Sequence, residues 1–186
     1  MKTMNLPIGL TWLRIAFIPL LIAFFYLDKP WAPFAAALTF GLAGLTDWAD
    51  GYLARKWQQE SRFGAFLDPV ADKLIVAVAM LLIVEREANL WFTLAGMIII
   101  GREIVISALR EWMAQVGLRG KVAVAYIGKL KTTFQIVALI FLLYNQYLFG
   151  VIPMRTLGII ALVLATILTL VSMVQYLRSA FANPQD

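Results

Sequence analysis

A chain of 186 residues that is 62% hydrophobic, with mean hydropathy +0.82, is too apolar for an ordinary water-soluble domain. Its net charge is +5, from 16 Lys and Arg against 11 Asp and Glu, and it has neither cysteine nor histidine. Those two absences exclude disulfides, thiolate nucleophiles and imidazole bases or ligands, leaving carboxylates to carry any acid–base or metal chemistry.

Six apolar runs are long enough to span hydrocarbon, roughly Ile8–Leu27, Trp31–Lys56, Ala65–Val84, Leu90–Met113, Val122–Phe149 and Val151–Leu177. The expected fold is an all-α integral membrane protein, a six-transmembrane-helix bundle forming one domain over residues 1–186. No cleavage site precedes Tyr26, so the first run reads as a retained helix, with Asn5 as its cap and Pro7 in its first turn. Within it Thr11 and Arg14 share a face. A lone hydroxyl such as Thr11 is expected to bond back to its own helix, while Arg14 either snorkels to the surface or faces an anion. Trp12, Tyr26, Trp31 and Trp91 are expected at the membrane interfaces.

The second run ends in Asp47-x2-Asp50-Gly51-x2-Ala54-Arg55, and the third begins Gly64-x3-Asp68-x3-Asp72. Helical spacing puts each set on one face, so antiparallel packing of the two helices gathers four carboxylates beside glycine and alanine. Like charges at that density need compensation, and an all-oxygen cluster suits Mg²⁺ or Mn²⁺. Ser61, in the polar connection, caps the next helix or bonds a ligand, and Pro69 shapes the start of the third helix. Glu85-Arg86-Glu87 reads as a solvated outer turn.

The fourth run carries Arg102-Glu103 and Arg110-Glu111, with both arginines on one face. Helix neighbours point apart, so Arg102–Glu103 is expected to be a poor pair. Lys129 and Lys131 follow on the fifth run and complete a cationic pocket suited to a phosphorylated ligand. The last run, nearly all Leu, Ile, Val, Ala and Thr, reads as structural.

If the amino terminus is cytoplasmic, Lys29, Arg86 and Arg155 lie outside and the other thirteen of the 16 basic residues lie inside. That bias places both termini and the acidic motif on the cytoplasmic side. Positive loops beside an anionic lipid bilayer also account for the net charge without any nucleic-acid partner.

The motif Asp47-x2-Asp50-Gly51-x2-Ala54-Arg55-x8-Gly64-x3-Asp68-x3-Asp72 matches, at all eight fixed positions, that of the CDP-alcohol phosphotransferases. The runs Gly64–Lys73, Arg102–Glu111 and Gly128–Thr133 resemble the bacterial branch that joins CDP-diacylglycerol to sn-glycerol 3-phosphate and releases CMP. The resemblance implies that Asp47, Asp50, Asp68 and Asp72 bind two divalent metals, with Asp72 also the general base. It implies that Gly51, Ala54, Arg55, Ser61 and Gly64 line the donor nucleotide site, to which Thr11 is added as a candidate. Arg102, Arg110, Lys129 and Lys131 are implied to hold the acceptor phosphate. A homodimer in the bacterial inner membrane is implied as well. Ile8 stands three residues before Thr11 where relatives often carry asparagine, which argues against a nucleotide contact from that position.

Two alternatives remain open. Another acceptor, such as inositol phosphate, serine or a phospholipid, would use the same donor site. A divalent-cation transporter would use the same carboxylates, but a cation path has no use for Arg55 beside them.

Overall fold

The computed structural model describes residues 6–57, 62–115 and 126–181. They form helices α1 (Leu6–Tyr26), α2 (Ala32–Trp57), α3 (Arg62–Glu87), α4 (Leu90–Gln115), α5 (Tyr126–Tyr144) and α6 (Met154–Phe181). Between α5 and α6 a small antiparallel hairpin pairs β1 (Tyr147–Leu148) with β2 (Ile152–Pro153). The expected all-α architecture is present, and Asn5 and Ser61 lie outside the described residues.

The helices run alternately up and down. At one end the Tyr26 hydroxyl of α1 donates to Glu85 of α3, and Arg155 of α6 pairs with Glu87 of α3 at 2.7 Å. At the other end Thr11 of α1 meets Asp68 of α3, and Lys131 of α5 meets Glu103 of α4. The three basic residues expected outside, Lys29, Arg86 and Arg155, thus belong to one end of the bundle, and the described candidate site residues to the other.

The interior is built from small and branched apolar residues, among them Ala36, Ala37, Ala43, Ala79, Ala95, Ala138, Leu139, Leu142 and Leu162. Alanine at helix crossings lets backbones come close, the usual basis of packing where lipid replaces water. The outward faces are equally apolar: Leu38, Leu45, Leu81, Met97, Ile104, Ile160 and Ile167 are exposed. An apolar surface of that extent is of the kind that meets a membrane or another protein. α4 and α6 contain the stretches Leu90–Met113 and Met154–Arg178, each long and apolar enough to cross a membrane, and shorter apolar stretches occupy Thr11–Tyr26, Ala32–Thr46 and Leu130–Tyr144.

Two local features depart from the expectations above. Glu85–Glu87 is not a solvated loop but the last turn of α3, which ends at Ala88 in the left-handed region (φ 43°). There Arg86 donates to the Leu142 carbonyl at 2.6 Å, pairs with Glu87 at 3.2 Å and lies over the Phe25 ring, so it ties α1, α3 and α5 together. The fifth run does not stay helical to Phe149. Asn145 (φ 52°) stops α5, and Phe149 (φ 53°) with Gly150 (φ 73°) turns the hairpin that takes residues 147–153 from the two apolar runs. Trp12, Tyr26, Trp31 and Trp91 are all exposed, as interface residues would be.

One glycine has a packing reason. A Cβ on Gly158 of α6 would lie 2.8 Å from Leu142 Cγ and 3.1 Å from the Leu142 backbone nitrogen. The close α5–α6 approach therefore depends on hydrogen at that position. Gly158→Val is expected to lower stability by about 1–3 kcal/mol, whereas Gly44→Val, with nothing within 4 Å of the added Cβ, changes little. Thermal midpoints of both variants in one detergent check this.

Candidate active site

The site is built at the end of the bundle where α1, α3, α4, α5 and the last part of α6 converge. Asp68 and Asp72 occupy successive turns of α3, as the four-residue spacing requires. Thr11, fully buried on α1, reaches beyond its own helix: its hydroxyl donates to Asp68 Oδ1. The partner lies 57 residues away, beyond any local rule. Arg14, one turn further along the same face, is 0% exposed and so does not snorkel. Pro69 sits inside α3 next to Asp68, where it forgoes one helical hydrogen bond.

Asp72 opens onto a cavity of about 230 Å³ between α3, α4 and α5, shared with Lys73, Glu103, Lys131, Thr132 and Gln135. Lys131 is 0% exposed and donates to Glu103 Oε1. The same oxygen accepts from Arg102 Nη1 at 3.0 Å. The expectation that Arg102 and Glu103 pair poorly is therefore wrong. Backbone neighbours diverge, but a guanidinium on three methylenes can fold back to a long carboxylate. Arg86 and Glu87 do the same at the other end.

The cationic set is divided by its surroundings. Lys131 lines the cavity with Asp72, while Arg102 turns toward α6, its Nη2 meeting Ser172 Oγ at 3.3 Å. Arg110 donates from Nη2 to the Tyr176 hydroxyl at 2.9 Å. α6 is thus more than structural. It presents Thr166, Thr169, Ser172 and Tyr176 inward, and the first three also return hydrogen bonds to their own helix. That polar stripe at intervals of three and four in an apolar run is the signal by which Ser172 and Tyr176 could have been found. Lys73 donates to Ser107, joining α3 to α4 beside an apolar cleft lined by Val70, Leu74, Ala77, Ile100 and Ile104.

Asp47, Asp50, Gly51, Ala54 and Arg55 lie on the last turns of α2, Gly64 on the first turn of α3 and Lys129 on α5. Their side-chain surroundings lie outside the described set, as does Ser61 altogether. α2 runs antiparallel to α3, the arrangement that the four-carboxylate reading needs. Among the described residues no three carboxylates form a metal-sized group, since Asp68 and Asp72 are the described members of the candidate set. The donor chemistry nonetheless fits a hard divalent cation. Asp68 and Asp72 offer carboxylate oxygens from adjoining turns, and the chain has no softer nitrogen or sulfur ligand from His or Cys.

Glu103→Gln would leave Lys131 buried without its counter-charge. The expected loss is about 2–4 kcal/mol, with much of it regained in Glu103→Gln/Lys131→Met. Thermal midpoints of the single and double variants measure this, and equal losses in the two would contradict the pairing.

The family model of the CDP-alcohol phosphatidyltransferases matches residues 4–175. Relatives from Escherichia coli (strain K12) and Shigella flexneri serotype 5b (strain 8401) are 52% identical over 182 residues, covering 98% of this chain and 98% of theirs. Both carry the name CDP-diacylglycerol--glycerol-3-phosphate 3-phosphatidyltransferase. A match over nearly the whole chain, on a helical bundle with Asp72 and Lys131 lining one cavity, makes this chain a member of the CDP-alcohol phosphatidyltransferase family.

Proposed function

We propose that the protein transfers the phosphatidyl group of CDP-diacylglycerol to sn-glycerol 3-phosphate, forming phosphatidylglycerophosphate and CMP. The observation that carries this reading is one cavity holding Asp72 and Lys131, in a chain 52% identical to relatives bearing that name. An acceptor with a hydroxyl to be deprotonated and a phosphate to be held needs a carboxylate and an ammonium within one molecule's length of each other.

Asp72 takes the proton from the 1-hydroxyl of glycerol 3-phosphate. The freed oxygen attacks the phosphorus that bears the diacylglycerol, a new P–O bond forms, and the bond to the CMP oxygen breaks. Asp47, Asp50, Asp68 and Asp72 would hold two Mg²⁺ or Mn²⁺ ions, which when bound offset the charge of the pyrophosphate and the leaving phosphate. Thr11 keeps Asp68 oriented through its hydroxyl. Arg55 neutralises the donor pyrophosphate, while Gly51, Ala54, Ser61 and Gly64 leave its nucleotide room against the backbone. Arg102, Arg110, Lys129 and Lys131 hold the acceptor phosphate.

The same reading makes the protein a six-span homodimer of the bacterial inner membrane, with both termini and the active site cytoplasmic and anionic lipid around it. Helices of 19 to 28 residues support the span count, since at 1.5 Å per residue they reach about 28–42 Å against a hydrocarbon core of about 30 Å. The gathering of Lys29, Arg86 and Arg155 at the end opposite the site supports the orientation.

Purified protein given CDP-diacylglycerol and a panel of glycerol 3-phosphate, inositol phosphate and serine should release CMP with the first alone. Chelation should stop turnover, and added Mg²⁺ or Mn²⁺ should restore it. CMP release with serine and not glycerol 3-phosphate would refute the acceptor assignment. Divalent-cation uptake into vesicles without the lipid donor would favour a transporter. Asp72→Asn should lower kcat by about 10²–10⁴-fold with an unchanged thermal midpoint, and an active variant would remove Asp72 as the base.

A further inference from the structure

Tyr176 belongs to no part of the motif and stands on the helix that looked purely structural, yet two guanidiniums converge on it. Its ring is 4% exposed and packs with Ile106, Leu109, Met113 and Met173 in a small apolar cluster separate from the main core. Arg110 Cζ lies 5.2 Å from the ring centroid and Arg102 Cζ 5.5 Å from it. The hydroxyl accepts from Arg110 Nη2 at 2.9 Å, and Ser172, one turn earlier, accepts from Arg102 Nη2 at 3.3 Å.

Every one of these anchors is neutral. A carboxylate in their place would hold the arginines equally well but cancel the charge that makes them useful. The π face and two hydroxyls instead fix the guanidiniums and leave their charge available. Arg110 forms no ion pair with a described carboxylate, and Arg102 shares the Glu103 carboxylate with Lys131. Among Arg102, Arg110, Lys131 and Glu103 the positive groups outnumber the carboxylate, a setting that suits a phosphate monoester.

Resting on the reading of Arg102 and Arg110 as acceptor-phosphate ligands, we infer that Tyr176 is a positioning residue that sets specificity for a phosphorylated acceptor. It holds the two guanidiniums of α4 in fixed relation to each other without neutralising them. The hydroxyl fixes the rotation of Arg110, and the ring offsets the repulsion between the two cations.

Steady-state kinetics of the full chain in mixed micelles, with CDP-diacylglycerol saturating and glycerol 3-phosphate varied, test this with Tyr176→Phe, Tyr176→Leu and Arg110→Ala. Tyr176→Phe keeps the ring and should raise the acceptor KM by about tenfold, with kcat and the donor KM unchanged. Tyr176→Leu, which also loses the π face, should raise it further. If Arg110→Ala raises the acceptor KM and neither Tyr176 variant does, the inference fails while the acceptor reading survives. If Arg110→Ala leaves that KM unchanged, the acceptor reading fails and takes the inference with it. A Tyr176→Phe enzyme that loses kcat and both KM values together would make Tyr176 structural and overturn the inference. Should Tyr176→Leu not fold, Tyr176→Phe decides alone.

Discussion

The buried ammonium of Lys131 sets the geometry of the whole site. In a bundle with an apolar core and an apolar exterior, a lysine without access to water persists only beside a counter-ion, and Glu103 supplies it. That single carboxylate also takes Arg102, so it fixes the register of α4 against α5 where the cavity with Asp72 opens. Moving α4 by one turn relative to α5 would take the Glu103 carboxylate away from buried Lys131. The arrangement therefore locks the helices more firmly than the surrounding alanine and leucine contacts, which tolerate sliding.

Polar contacts are gathered at the two ends of the bundle, with apolar packing between them. At the far end Arg86 joins the Leu142 carbonyl, the Phe25 ring and Glu87, and Arg155 closes the same carboxylate. With Lys29 counted against Asp28 and Glu85, the charges at this end balance, three against three. At the site end the described polar contacts leave a positive surplus around Arg102, Arg110 and Lys131. A protein held in a bilayer needs satisfied polar groups at both rims. An unbalanced cationic cluster at one rim is what the proposed acceptor phosphate would require.

Much of this was readable from the residues. Four-residue spacing put Asp68 and Asp72 on one face, and hydropathy marked all six helices, because both signals are local and periodic. What escaped was long-range or depended on side-chain length. No pattern in α1 announces that the Thr11 hydroxyl reaches Asp68. The Arg102–Glu103 pair was discounted on backbone direction, although flexible side chains override it. The hairpin before α6 escaped although Asn145, Gly150 and Pro153 punctuate it, because the short apolar pieces between them do not tell strand from helix. Ser172 and Tyr176 were overlooked because a few polar positions in a long apolar helix are easily taken for packing.

The contact between Gly158 and Leu142 reaches beyond local fit. It seats α6 directly on α5, and α6 in turn holds the arginines of α4, so these three helices form a block carrying Arg102, Arg110 and Lys131. α1 packs on α2 and α3 and binds Asp68, so the acidic side belongs to a second block. A lineage built on such a division can exchange one small water-soluble co-substrate for another by altering its carboxy-terminal half. The lipid-activating half would need no revision.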